Sequence, residues 1–133
     1  MKIRWPRILI GGLLTETIIL GLFLALLWGT RLAGAPTIAL PETPLDFANA
    51  MISSLVVTFG CAYWVCRKVE SHVVLHGLLV GVTAIFIFVL LTQAEPEPPL
   101  YIVAHGLKLV GGAAGGLLAA RRRSAVQSQG APV

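Results

Sequence analysis

Four long apolar runs divide the chain, at residues 8–28, 45–66, 73–91 and 100–120. Each run has about 20 residues, and a helix of that length crosses a ~30 Å hydrocarbon core at ~1.5 Å per residue. The segments between the runs are rich in proline, glycine or charge, which is typical of turns and loops. The pattern therefore predicts an all-α fold, a transmembrane four-helix bundle that forms one domain over residues 1–123.

The composition agrees with this pattern. The chain has 133 residues, of which 56% are hydrophobic and only 12% are charged, and soluble domains have roughly twice that share of charged residues. The formal net charge of +4 does not indicate nucleic-acid binding, because the basic residues flank the apolar runs and form no separate basic domain. We therefore expect the lipid bilayer as a partner and no nucleic acid.

The basic residues also predict the orientation. In a four-span topology, eight of the ten basic residues lie at one membrane surface, and cytoplasmic segments are enriched in such residues. Both termini are therefore expected in the cytoplasm, and residues 124–133, which have no apolar periodicity, are expected to form a disordered cytoplasmic tail. The eight residues are Lys2, Arg4, Arg7, Arg67, Lys68, Arg121, Arg122 and Arg123.

Glycines recur at four-residue spacing in the last two runs. Small residues at this spacing let two membrane helices pack with their backbones in close contact. The pattern predicts close packing of the fourth helix, either within the bundle or between subunits. The glycines concerned are Gly77 and Gly81 in the third run, and Gly111, Gly112, Gly115 and Gly116 in the fourth.

Four ionisable residues inside the runs form a candidate intramembrane polar site: Glu16, His76, His105 and Lys108. By residue counting, Glu16 lies ~12 Å and Lys108 ~18 Å from the basic surface. The difference of ~6 Å is about the reach of a lysine side chain, so the two can form a structural ion pair. Two alternatives stay open, namely unpaired charges facing water and a small ion-coupled transporter that uses Glu16 with Lys108 and His105.

The remaining reactive side chains do not form a recognisable site. His76 and His105 differ in depth by ~15 Å, too far for a shared haem, and His72 with His76 gives only two metal ligands. Cys61 and Cys66 are ~140° apart around the second helix, which predicts two buried, inert thiols. No serine stands in a nucleophile motif with a base. We expect no enzymatic activity, no cofactor and no metal.

Three motifs carry a family resemblance. They are Gly12-Leu13-Leu14 in the first run, a short basic turn before His76-Gly77-Leu78-Leu79-Val80-Gly81, and the paired glycines of the fourth run. In these motifs the chain resembles the YrzE-like group, small four-span bacterial membrane proteins of uncharacterised function. The resemblance implies a bacterial inner membrane. It implies no known activity. The glycine patterns and the lack of a catalytic set lead to the interpretation of a packing, assembly or accessory component, present as a homo-oligomer or in a larger membrane complex.

Overall fold

The computed structural model describes residues 3–32, 44–93 and 99–129, and all of its regular structure in these ranges is helical. The four helices are α1 (Trp5–Leu32), α2 (Pro44–Cys66), α3 (Val73–Leu91) and α4 (Pro99–Gln129). The prediction of an all-α four-helix fold is therefore confirmed. Each helix is long and apolar enough to cross a membrane, which is typical of a multi-pass membrane protein.

Two helices are longer than predicted. Helix α1 continues to Leu32, into the segment expected to be a loop, and residues 33–43 of that loop lie outside the described ranges. Helix α4 continues to Gln129, so residues 124–129 are helical where the sequence predicts disorder. Alanine, arginine and glutamine sustain a helix that the apolar span has already nucleated, which explains the extension. The last four residues of the predicted tail lie outside the described part of the chain.

The helices are arranged so that α1 and α4 lie on opposite sides of the bundle. Each of them packs against both α2 and α3, and within the described residues the α1 and α4 backbones do not approach each other. The turn between α2 and α3 spans residues 67–72 and makes these helices antiparallel neighbours. It ends at His72, whose φ of 51° lies in the left-handed region.

Backbone contact between α3 and α4 depends on glycine. A Cβ on Gly77 would overlap the carbonyl oxygen of Gly112, and a Cβ on Gly112 would overlap that of Gly77. Gly81 meets the carbonyl of Lys108 in the same way, and Gly116 lies against Val74. These glycines therefore bring two helices of the same chain together.

The other face of α4 uses glycine against α2. A Cβ on Gly111 would overlap the carbonyl oxygen of Leu55, and one on Gly115 would overlap that of Phe59. All six glycines identified in the sequence thus lie at contacts inside the bundle. Of the two settings that the pattern allows, the structure has close packing within one chain.

The core lies toward the end of the bundle that holds the α2–α3 turn. Its buried apolar side chains include Val65 and Val80, and two further glycines bring α1 against this core. A Cβ on Gly11 would lie 2.7 Å from Val65 Cγ2, and one on Gly12 would lie 2.6 Å from Thr83 Cγ2. The buried residues of α1 end at Glu16, so the second half of this helix contributes nothing to the buried core.

Basic residues from different helices meet at this end. Arg7 donates to the carbonyl of Lys68 at 3.0 Å, and Arg123 donates to the carbonyls of Val69 and Arg67. The start of α1 and the end of α4 therefore share one end of the bundle with the turn. We call it the basic end, and its described residues are Arg4, Arg7, Arg67, Lys68, Arg121, Arg122 and Arg123.

Candidate functional site

A buried ion pair joins the two helices that lie opposite each other. Lys108 Nζ of α4 donates to Glu16 Oε1 of α1 across 2.7 Å. The two residues are 2% and 4% exposed. A buried charge without a partner costs several kcal/mol of free energy. Each of these two groups supplies the counter-charge that the other needs. The pair is thus a direct link between α1 and α4 through the middle of the bundle.

The surroundings of Lys108 explain how the sequence places its ammonium group. Gly81 lets α3 contact the Lys108 backbone closely, and the Lys108 side chain is buried inside the bundle. The ammonium nitrogen lies 4.8 Å from the centroid of the Phe88 ring, a cation–π contact. The charge therefore has a carboxylate and an aromatic face as neighbours.

His105 lies beside the same aromatic ring. It precedes Lys108 by three residues on α4, and its ring centroid is 5.0 Å from that of Phe88. Lys108 and His105 therefore both contact Phe88, and Glu16 is joined to them through its bond to Lys108.

His76 is not part of this group. It lies twelve residues before Phe88 on α3, about 18 Å along the helix axis, and its side chain is fully buried at the basic end. Its Nε2 accepts a hydrogen bond from the backbone N–H of Arg4 at 3.2 Å. Its Nδ1 lies 3.0 Å from the carbonyl of His72 and donates to it. Through these bonds His76 links α3 to the residue that precedes α1.

Two of the buried hydroxyl residues bond to carbonyls of their own helices. Thr15 donates to the Gly11 carbonyl at 2.8 Å, and Ser53 donates to the Asn49 carbonyl at 2.5 Å. Such bonds satisfy a hydroxyl donor within its own helix. Thr58 differs from these two, because its fully buried hydroxyl has no hydrogen-bond partner within the described residues.

Cys61 and Cys66 are both free and buried, and Cys66 Sγ lies 3.2 Å from the carbonyl of Val73. Over the residues that the structure describes, no three histidine, cysteine, aspartate or glutamate side chains are grouped so that they could hold a metal ion.

The chemistry open to the central pair follows from its burial. A carboxylate can exchange a proton or bind a cation only when it is in contact with water or with the ion. Here the Glu16 side chain is 5% exposed and already accepts a hydrogen bond from Lys108. Ion or proton exchange at Glu16 would first require the Lys108 side chain to move away.

Sequence reasoning missed two of the contacts that hold α1. The Gly11-Gly12 pair was a visible signal for close packing of α1, although nothing in it names Val65 or Thr83 as the neighbours. The bond from Arg4 to His76 joins residues 72 positions apart and leaves no local signal.

The chain has no match among protein-family models, among curated proteins or among solved structures.

Proposed function

We propose that this protein is a small, non-enzymatic packing, assembly or accessory component of a bacterial inner membrane. One observation carries the proposal: the carboxylate and the ammonium group at the centre of the bundle are buried and form an ion pair with each other. Glu16 and Lys108 are 4% and 2% exposed and are bonded to each other. Charges that neutralise each other out of reach of water support a fold better than they support chemistry.

The membrane and orientation in this proposal are argued from charge. Seven basic residues and one acidic residue, Glu70, belong to the described part of the basic end and the turn. By the positive-inside rule, such an end faces the cytoplasm, with both termini on that side. The resemblance to the YrzE-like group adds support for a bacterial inner membrane.

Assembly with a second copy or with a larger complex has to use the outside of the bundle, because the glycine contacts of α4 lie inside it. The second half of α1 is the strongest candidate surface. No residue of α1 after Glu16 is buried, and Leu20, Leu24 and Trp28 form one exposed stripe at four-residue spacing. Gly21 has nothing within 4 Å of its virtual Cβ. A second membrane helix could therefore pack closely here.

Site-specific photo-crosslinking in native membranes tests the proposal. A photoreactive amino acid replaces Leu24 on the candidate surface, and a matched probe replaces Val56, which is 58% exposed on α2. We expect a discrete protein adduct from position 24 that mass spectrometry identifies as a second copy or a partner, and none from position 56. Lipid adducts alone at both positions, with a strictly monomeric protein in native nanodiscs, would remove the assembly role.

A second variant checks that the adduct reports helix packing. Gly21→Leu places a bulky side chain where a partner helix would approach, but it meets no atom of its own bundle. We expect this variant to fold as the parent does and to lose the position 24 adduct. An adduct of unchanged yield would mean that the helices meet through some other face.

The transporter alternative makes the opposite use of Glu16. Its test is the double variant Glu16→Gln/Lys108→Met, which removes both charges together and so leaves no unpaired charge in the bundle. We expect the folded double variant to leave every tested ion or substrate flux at the parent level. Loss of a measurable flux in that folded protein would replace the present proposal with transport.

A further inference from the structure

The basic end holds a cleft of about 270 Å³ between the last turns of α2 and the extended end of α4. Three arginines supply its charge, and Tyr63 supplies an aromatic wall. No acidic residue is among the residues that line it, which are Tyr63, Arg67, Ala119, Arg122, Arg123 and Val126.

The three arginines differ in how much of their hydrogen-bonding capacity is already used. Arg123 donates to the carbonyls of Val69 and Arg67, which fixes the turn beside the cleft. Arg122 donates one hydrogen bond to the Tyr63 hydroxyl at 2.9 Å, with its guanidinium carbon 5.5 Å from the ring centroid. A guanidinium has five N–H donors, so Arg122 keeps most of them. Arg122 is thereby held in place and still able to bind an anion.

Arg67 also lines the cleft and is exposed. Within the described residues its guanidinium has no hydrogen bond or ion pair to another side chain. Glu70, the acidic residue of the adjacent turn, forms no ion pair there either. The positive charge of the cleft is therefore not neutralised by the described part of the protein.

The arginines that line the cleft favour a phosphate ester as its ligand. Arginine binds phosphate oxygens through paired N–H donors, and two arginines facing each other can hold one phosphate from two sides. The cleft also lies where membrane-spanning helices end, next to the exposed Trp64, and lipid phosphates occupy this level of a bilayer. Ala119 gives it an apolar wall on the membrane side. We propose that this cleft binds the phosphate group of an anionic phospholipid between Arg67 and Arg122.

Lipid retention by the full-length protein tests the site. The purified protein in a neutral detergent receives phosphatidylglycerol or phosphatidylcholine with the same acyl chains, and native mass spectrometry measures the bound fraction. We expect the parent to retain phosphatidylglycerol in preference to phosphatidylcholine. In Arg67→Gln/Arg122→Gln we expect phosphatidylglycerol affinity to fall at least about tenfold, because charge-assisted hydrogen bonds are lost.

A charge-matched control separates a built site from diffuse attraction. Lys68→Gln/Arg121→Gln removes two positive charges from the same end, but neither residue lines the cleft. We expect this control to retain phosphatidylglycerol within about twofold of the parent, since only a weak general attraction changes. An equal loss in both double variants, or no preference in the parent, would overturn the proposal.

Two further arms complete the test. Arg67→Lys keeps the charge but not the paired donors, so we expect its phosphatidylglycerol affinity to lie between that of the parent and that of Arg67→Gln/Arg122→Gln. This milder single substitution keeps the test valid if the double substitution perturbs the fold. Inorganic phosphate distinguishes the source of the ligand. A lipid site keeps its phosphatidylglycerol when excess inorganic phosphate is added, whereas displacement of the lipid by the free ion would assign the cleft to soluble phosphate and overturn the lipid assignment.

Discussion

Gly77 of α3 and Gly112 of α4 occupy each other's side-chain space, because the carbonyl oxygen of each lies where a Cβ of the other would be. The overlap is with backbone, so no change of rotamer can relieve it. Any side chain at either position has to separate the two helices. In membranes, where lipid is as apolar as the helix surface, such close packing is a main source of association energy.

The first prediction is that Gly112→Ala lowers the free energy of unfolding by about 1–3 kcal/mol, the range for overpacked positions. Gly106 provides a matched control on the same helix, since nothing lies within 4 Å of its virtual Cβ. For Gly106→Ala we expect no loss, or a gain of up to about 1 kcal/mol from helix propensity. Denaturant titration of the purified protein in mixed micelles measures both variants. Equal effects at the two positions would contradict the packing described for α3 and α4.

The second prediction separates the two neighbouring histidines. His76→Ala leaves the Arg4 N–H without its acceptor and opens a cavity in a fully buried site, so we expect it to lower stability by about 2 kcal/mol or more. His72 uses its backbone carbonyl as an acceptor, and its side chain is exposed at a φ of 51°. His72→Gly should therefore leave stability unchanged or raise it by up to about 1 kcal/mol. The same unfolding titration reports both, and destabilisation by His72→Gly would show that its imidazole has a role.

The third prediction concerns the thiols. Cys61 and Cys66 are 6% and 0% exposed, so we expect both to react with a membrane-permeant maleimide only when the protein unfolds. The exposed Gly60, adjacent to Cys61 on α2, supplies the control, because Gly60→Cys places a thiol on the outer surface with nothing within 4 Å. That variant should gain one rapidly labelled site in the folded state. Rapid labelling of the parent protein would mean that α2 separates readily from its neighbours.

The fourth prediction concerns orientation. If the basic end faces the cytoplasm, a reporter that is active only in the cytoplasm should be active when fused after residue 129. The same reporter should be inactive when fused within residues 33–43, between α1 and α2. Neutralisation of two charges at the basic end, with glutamine at Arg67 and Lys68, combined with lysine in place of Glu42, should weaken the asymmetry. The opposite pattern in the parent fusions would reverse the assigned orientation.

The helices themselves could be predicted because their signal is local. Each apolar run is long enough to span a bilayer and contains few charges, and no tertiary contact is needed to read that length. The bounds of α3 agree with the prediction, and those of α2 differ by one residue at Pro44. The end of α4 was not predictable in this way. A helix leaving the bilayer has no apolar pattern to mark its end, and the residues after Arg123 remain helical through propensity and propagation.

The candidate site was predictable only in part. Depth along the membrane follows from residue counting, which brought Glu16 and Lys108 within reach of each other. Rotation around the helix axis and the choice of neighbours depend on tertiary packing. For that reason the sequence could not show that Phe88 contacts both Lys108 and His105, or that His76 bonds to Arg4 at the basic end. The sequence also does not show whether the glycines pack helices of one chain together or helices of two chains.

The most direct test of the account is a double-mutant cycle on the central ion pair, measured as free energy of unfolding in lipid-containing micelles. Glu16→Gln and Lys108→Met each leave one buried charge without its counter-ion, so each should cost about 3–5 kcal/mol. The double variant should cost less than either single change, because no buried charge remains. Costs that simply add, with the double variant the least stable of the three, would contradict the claim that this pair is a closed structural link between α1 and α4.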